Sequence, residues 1–172
     1  MIEVLIALVM FTIAAVAYAG ALASTSESSA ERRAASLAAA AARDVVERMR
    51  SLPGHERFAS YNTNAADDPG GAGTAPGAAF DVDGLSPVDG DEDGRVGEIW
   101  FPTTAGALRE DVTDVRLGMP RDLDGDTLID ALDHSADYVI LPVRIRVVHQ
   151  VQGARRIFEL HTELVDWSSS TP

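Results

Sequence analysis

The sequence predicts an α+β protein, in which a long N-terminal α-helix packs over its second half on a C-terminal antiparallel sheet. Residues 1–23 are almost wholly apolar, residues 24–52 lack proline and glycine, and two alternating segments flank Gly153. At 172 residues with 46% hydrophobic side chains, the chain has material for one ordinary domain plus an extension. We therefore divide it into the first helix half (1–23), the amphipathic second half (24–52), and a globular part with acidic loops and strands (53–172).

Composition excludes several functional classes. The chain has 14 basic and 27 acidic residues and a net charge of -13, which disfavours nucleic acid as a partner. It contains no cysteine, so disulfides, thiolate metal sites and cysteine nucleophiles are ruled out. The four histidines are scattered, and no phosphate loop, dinucleotide fingerprint or GxSxG motif is present. We expect that the protein is not an enzyme, and an anchored hydrolase with a pocket around His134 or Asp137 remains an alternative.

The N-terminal apolar segment is long enough to cross a membrane. Residues 1–23 carry one charged side chain, Glu3, and about 20 helical residues cover about 30 Å of hydrocarbon. A secretory signal peptide begins with basic residues, whereas the first basic residue here is Arg32. Residues 19–21 loosely resemble a cleavage site, so a signal peptide is the alternative. We predict a retained single-pass helix.

Glu3 is the unusual residue of this segment. A carboxylate in an apolar helix is costly to bury unless a cation meets it, although the headgroup region and the positive helix end could also accommodate it. The opening residues Met-Ile-Glu-Val-Leu-Ile-Ala-Leu resemble the start of mature type IV pilins and pseudopilins. The leader, cleavage glycine and first two mature residues of that family have no counterpart in this sequence. The resemblance implies that Glu3 neutralises the amino terminus of a neighbouring subunit during assembly.

Residues 24–52 continue the helix, and Pro53 and Gly54 are expected to end it. Gly20 and residues 24–29 are the positions where we expect it to bend. Apolar residues at three- and four-residue steps predict the face that lies on the sheet. This face consists of Leu37, Ala38, Ala41, Val45, Met49 and Leu52. Residues 42–53 resemble the end of the helix in minor pilins of the pilus-modification type and in secretion pseudopilins, which implies a minor subunit.

The second half of the chain reads as loops and strands. Residues 54–80 lack an apolar period and predict an exposed loop. The predicted strands are residues 97–101, 111–117, 138–152 and 154–167. The last two form a hairpin with one buried face, because Val143, Ile145 and Val147 alternate with arginines. Pro142 is expected at an edge or a bulge.

One acidic loop has the spacing of a calcium site. Carboxylates occupy positions one, three, five, nine and twelve of a twelve-residue stretch, and a backbone carbonyl is available at position seven. These ligands are Asp122, Asp124, Asp126, Leu128, Asp130 and Asp133. The pattern resembles EF-hand and dockerin loops, except that Thr127 replaces a glycine and Asp133 replaces a bidentate glutamate. Ile129 is expected to face the core, and a solvated acidic turn is the alternative.

A second acidic loop repeats the opening of this pattern. Its candidate ligands are Asp89, Asp91 and Asp93, with Glu98 as a closing ligand, because Trp100 occupies position twelve. Calcium in either loop would be structural, since it offsets repulsion between crowded carboxylates and orders the loop.

Together these features predict a structural subunit of a bacterial type IV pilus or of a type II secretion-like filament. We expect it in the inner membrane before assembly and in an extracytoplasmic filament afterwards, with other pilin or pseudopilin subunits as partners through the N-terminal helix. The alternative is a membrane-anchored extracytoplasmic calcium-binding module that does not polymerise.

Overall fold

The computed structural model describes residues 2–166. The first element, α1, spans Ile2–Ser51 as a single 50-residue helix, about 75 Å long. It runs through Gly20 and the serine-rich segment without interruption, so neither predicted bend breaks the helix. The hydroxyl of Thr25 donates to the Ala21 carbonyl at 2.8 Å, which satisfies this polar side chain along the helix itself.

A second helix follows where the sequence predicted a loop. Helix α2 spans Gly54–Tyr61, directly after Pro53, and the prediction of an exposed loop over residues 54–80 is wrong for this part. Phe58 and Tyr61 are buried. The hydroxyl of Tyr138 accepts the Phe58 N–H at 3.2 Å and donates to the Gly54 carbonyl, so α2 is fixed to the domain. An eight-residue helix is too short to show a clear apolar period.

The strands form two antiparallel sheets. They are β1 (Ala79–Phe80), β2 (Gly97–Trp100), β3 (Thr103–Thr104), β4 (Ala107–Leu108), β5 (Ile140–Val151) and β6 (Ala154–Val165). The main sheet has the order β1-β2-β5-β6, and β3 pairs with β4 alone. The predicted hairpin is confirmed as β5 and β6, joined through Gln152 and Gly153, both of which have positive φ. The α+β prediction is therefore confirmed at the level of one long helix and a C-terminal antiparallel sheet.

The predicted strand over residues 111–117 is wrong. Its end is a 3-10 helix, Val115–Leu117, whose start is capped by Asp114 and whose end is closed by Gly118 in the left-handed conformation. The Asp114 carboxylate accepts the Arg116 N–H at 2.9 Å, an interaction that favours a turn over an extended strand.

The core lies between the sheet and the second half of α1. The inward side chains of β5, Val143, Ile145 and Val147, are fully buried, which confirms the alternation read from the sequence. The buried face of α1 consists of Ala34, Ala38, Ala42, Val45, Val46 and Met49. Ala38, Val45 and Met49 of the predicted face belong to this buried face. The other three predicted residues, Leu37, Ala41 and Leu52, are only partly buried.

Pro142 lies inside β5 and is fully buried, without breaking the sheet. β5 pairs with β2 only from Arg144 to Val147, so Pro142 lies beyond the end of that ladder. On its other side Pro142 pairs with Glu163 of β6, so it lies within a central strand and only one side of it is an open sheet edge.

Candidate functional site

The first half of α1 is covered by no other part of the chain that the structure describes. An 18-residue stretch of this half is strongly apolar, and none of it is buried against other described residues. Ile2 and Phe11 are 73% and 74% exposed, as large as any apolar exposure in the helix. Soluble monomers rarely expose a continuous apolar surface of this kind. The helix is therefore long and apolar enough to cross a membrane.

Glu3 lies in the first turn of this uncovered helix. It is exposed, and no hydrogen bond or ion pair to it is present among residues 2–166. Any countercharge for its carboxylate must therefore come from outside the described part of the chain.

The predicted calcium loop is folded back on its own backbone. Asp122 accepts the N–H groups of Gly125 at 2.6 Å and Thr127 at 2.8 Å. Asp126 and Asp130 each accept an N–H from the residue two positions ahead, in both cases at 2.7 Å. These turns shape the loop, but they also use carboxylate oxygens that a cation would need. A cation would replace some of these bonds and compete with the others.

The loop makes its sharp turn where calcium loops make theirs. Thr127, at position six, has a φ of +77°, the conformation for which such loops use glycine. A β-branched residue is strained in this region of backbone space. The loop therefore has the expected turn in spite of the residue type.

The loop carboxylates differ in the direction in which their pKa values are shifted. The N–H of Gly125 holds the pKa of Asp122 below its usual value, and the N–H of Leu132 does the same for Asp130. At Asp124 the N–H of Asp126 also lowers the pKa, but burial and the charges of Asp126 and Glu110 outweigh it, so the pKa is raised. Burial contributes most to this rise in the pKa of Asp124, and the neighbouring carboxylates add to it.

Glu110 is the residue that the sequence analysis missed. It lies two residues after β4 and is 1% exposed. Its carboxylate accepts the N–H of Leu123 at 2.5 Å, that of Asp124 at 3.4 Å and that of Asp130 at 3.2 Å. It therefore ties the start of the acidic loop to its ninth position. No local pattern marks this glutamate, because it lies outside the loop in the sequence.

His134 is buried at the centre of the same cluster, with 4% exposure. Its Nε2 lies 3.2 Å from the Asp130 carboxylate and 3.9 Å from that of Glu110, and its Nδ1 lies 3.3 Å from Asp137 and 3.6 Å from Asp124. Burial lowers the pKa of His134, but the hydrogen bond to Asp130 and the surrounding carboxylates raise it more. The surrounding carboxylates thus favour the protonated form of His134, and its burial gives a substrate no open access to the ring.

The structure brings some predicted ligands together and leaves others apart. Three groups have ligand atoms within 4.8 Å of one another. They are Glu110 with Asp122 and Asp124, Glu110 with Asp130 and His134, and Asp124 with His134 and Asp137. These groups are built from carboxylates and one imidazole, and the first, an all-oxygen set, fits calcium best.

The remaining predicted ligands lie elsewhere. Asp126 and Leu128 are exposed on the outer side of the loop. Asp133, the predicted closing ligand, accepts the Leu108 N–H at 3.2 Å and the Ser135 N–H at 3.0 Å instead. Ile129 is 53% exposed, so the expectation that it faces the core is wrong. Glu110 is the buried acidic residue that lies where a closing carboxylate is needed.

The candidate ligands of the second acidic loop do not form such a group among the described residues. No three of Asp89, Asp91, Asp93 and Glu98 meet the same 4.8 Å criterion among the described residues. Asp93 accepts the Arg95 N–H at 3.0 Å, and Glu98 accepts from the indole of Trp100 at 3.2 Å. Burial and the neighbouring charges of Asp93 and Glu98 raise the pKa of Asp91.

Comparison with known proteins adds no relative: no protein-family model, curated protein or solved structure matches this chain.

Proposed function

We propose that this chain is a structural subunit, a minor pilin or pseudopilin, of a bacterial type IV pilus or a type II secretion-like filament. The observation that carries the proposal is the division of α1 into an apolar half that no described residue covers and a second half fixed to a folded domain. The resemblance of residues 1–8 to the start of mature pilins points in the same direction.

The physical role of the apolar half is to exchange one apolar environment for another. Burying a large aliphatic or aromatic side chain contributes about 1.5–3 kcal/mol relative to exposure in water. A helix also satisfies its own backbone in lipid. The subunit waits in the inner membrane and then buries the same surface among neighbouring helices. Gly20 has no side chain, so a neighbouring helix can approach the backbone closely there.

Glu3 determines how an incoming subunit is positioned during this exchange. In a filament core of low polarity, an unpaired carboxylate is strongly unfavourable, whereas a carboxylate that meets a positive amino terminus is compensated. We therefore assign to Glu3 the pairing with the amino terminus of an adjacent subunit, which positions the incoming chain.

The test compares incorporation of wild type and Glu3→Ala into purified filaments, with Glu27→Ala as a matched control on the same helix. We expect Glu3→Ala to lower incorporation at least about tenfold, equivalent to about 1.4 kcal/mol, while its level in the membrane is unchanged. Glu27 is exposed beyond the apolar segment, so its loss should change nothing. Equal incorporation of all three chains would contradict the role of Glu3.

The cluster around Glu110 favours a second candidate, a membrane-anchored extracytoplasmic calcium-binding module that does not polymerise. Both candidates use the same helix and the same loop, with calcium as a structural ion. They differ in whether the wild-type chain enters filaments at all. Absence of wild type from every purified filament preparation, with the chain present in the membrane, would favour the module.

A further inference from the structure

A cavity of about 310 Å³ lies at the edge of the main sheet. It exists because β1 is only two residues long and pairs with β2 no further than Glu98. Trp100, at the end of β2, therefore has no strand beside it on that side. Residues 62–64, which follow α2, line the cavity as well. Its volume is at the lower end of the about 300–1,000 Å³ typical of small-ligand sites.

Trp100 is the main aromatic surface of this cavity and is 45% exposed. Its Nε1–H donates to Glu98 at 3.2 Å, and the guanidinium carbon of Arg144 lies 4.8 Å from the ring centroid. The indole is thus held in place by two contacts that use its polar atom and one of its faces. The exposed remainder of the ring is apolar.

The other lining groups narrow the chemistry of a ligand. The charged side chains of the lining, Asp93 and Glu98, are both acidic, which disfavours an anion. Arg144 already places a positive charge against the indole, which disfavours a second cation at the same ring. A neutral ligand remains.

Polar groups in the lining suit hydroxyls. Asn64 lines the cavity and accepts the Ala66 N–H through its side-chain oxygen at 3.2 Å, so its NH₂ group is not used in that bond. The hydroxyls of Thr63 and Thr103 can both donate and accept. Carboxylates accept hydroxyl hydrogens in strong charge-assisted bonds. The cavity thus offers an apolar aromatic surface next to hydrogen-bond donors and acceptors. A ligand ring with one apolar face and several hydroxyl groups is complementary to this lining.

We propose that this cavity binds a neutral sugar, one or two hexose units in size, with the apolar face of one ring against Trp100. Hydroxyls of the sugar donate to Asp93 and Glu98 and accept from Asn64. The site shares no residue with the apolar half of α1 or with the Glu110 cluster, so it stands or fails separately from the functions proposed above.

The test uses the full chain in phospholipid nanodiscs, because alkyl glycoside detergents would compete for the site. The sequence has two tryptophans, so a Trp167→Phe background leaves Trp100 as the only indole reporter. Glucose, galactose and mannose, and disaccharides of each, are titrated against tryptophan fluorescence, and saturation-transfer NMR measures binding independently. We expect a saturable response to at least one of these sugars.

Variants assign the response to the cavity. Trp100→Ala should lower the affinity at least tenfold in the NMR measurement without changing the melting temperature, and Trp100→Phe should retain part of it. If Trp100→Ala does not fold, Asp93→Asn on an exposed turn should weaken binding in the same way. Val115→Ala, at a fully accessible position away from the cavity, should bind like wild type. The proposal is overturned by no sugar response up to about 10 mM, by a response to tetramethylammonium alone, or by unchanged binding in the Trp100 and Asp93 variants.

Discussion

At the scale of single residues, Glu110 shows how a buried charge is made tolerable. A carboxylate with 1% exposure is unfavourable unless hydrogen bonds and countercharge compensate it. Three backbone N–H groups of the acidic loop supply those bonds, and Nε2 of His134 lies 3.9 Å from the carboxylate. The loop and Glu110 therefore stabilise each other.

Replacing Glu110 by glutamine should destabilise the domain. The amide would turn a donor toward at least one backbone N–H, and a buried unsatisfied group costs about 1–3 kcal/mol. Thermal unfolding of residues 24–172 measures the loss, and calcium titration should show a weaker affinity. Glu163→Gln is the control, because the exposed ion pair of Glu163 with Arg121 is worth about 0–1 kcal/mol. Equal melting temperatures for the two variants would refute the role of Glu110.

His149 behaves in the opposite sense to His134. It is 2% exposed on the inner face of β5, and its Nδ1 has no hydrogen-bond partner in the described structure. Burial, and then the positive charge of Arg156, lower the pKa of His149. The folded protein therefore holds this side chain neutral, while the unfolded chain titrates near about 6.5.

This difference predicts a loss of stability in acid. Stabilisation from neutral His149 is fully present above about pH 6.5 and is lost as the pH falls from there through the lowered folded-state pKa, with a slope of up to about 1.4 kcal/mol per pH unit. Urea unfolding of residues 24–172 at about pH 7.5, 6 and 5 measures it. His149→Leu should flatten this part of the profile, whereas His161→Leu, at an exposed position of β6, should not. An identical slope in His149→Leu and wild type would show that another group dominates.

At the scale of elements, the sequence pattern of a segment and the capping residues beside it can favour different secondary structures. The strand predicted at residues 111–117 does not form, because the cap at Asp114 and the left-handed Gly118 enclose a 3-10 helix there. Residues 54–61 became a helix because Phe58 and Tyr61 have a core to enter, which their sequence neighbours do not reveal. The acidic loop, by contrast, follows its spacing closely enough to make the expected turn at Thr127.

Chelation tests whether this loop is a metal site. Removing calcium should lower the melting temperature of residues 24–172 by about 5–10 °C, since saturation at a hundredfold excess over Kd contributes about 2.7 kcal/mol. Asp124→Ala should abolish the difference, because its carboxylate belongs to the all-oxygen group with Glu110 and Asp122. Asp91→Ala, in the second acidic loop, should respond to chelator like wild type. No shift in wild type would remove calcium from the proposed function.

At the scale of the whole molecule, α1 joins two environments. Over its second half, its inward face is covered by the sheet, and Glu31 bonds Arg156 near the start of that contact. Over its first half, the described structure provides no cover at all. One continuous helix thus links a folded domain to an apolar surface that no described residue covers, and the proposed filament role depends on this arrangement.

By itself the sequence determined the features that depend on residues close together in the chain. These are the length of α1, its apolar first half, the β5–β6 hairpin and the spacing of the acidic loop. Those patterns depend on neighbours a few residues apart, so they can be read along the chain. Tertiary structure alone decided that Ala42 and Val46 face the sheet, that Glu110 joins a loop twelve residues further on, that His134 is enclosed by carboxylates, and that a cavity opens beside Trp100. These outcomes depend on contacts between residues that are far apart in the sequence. No periodic pattern in the sequence identifies the partner in such a contact.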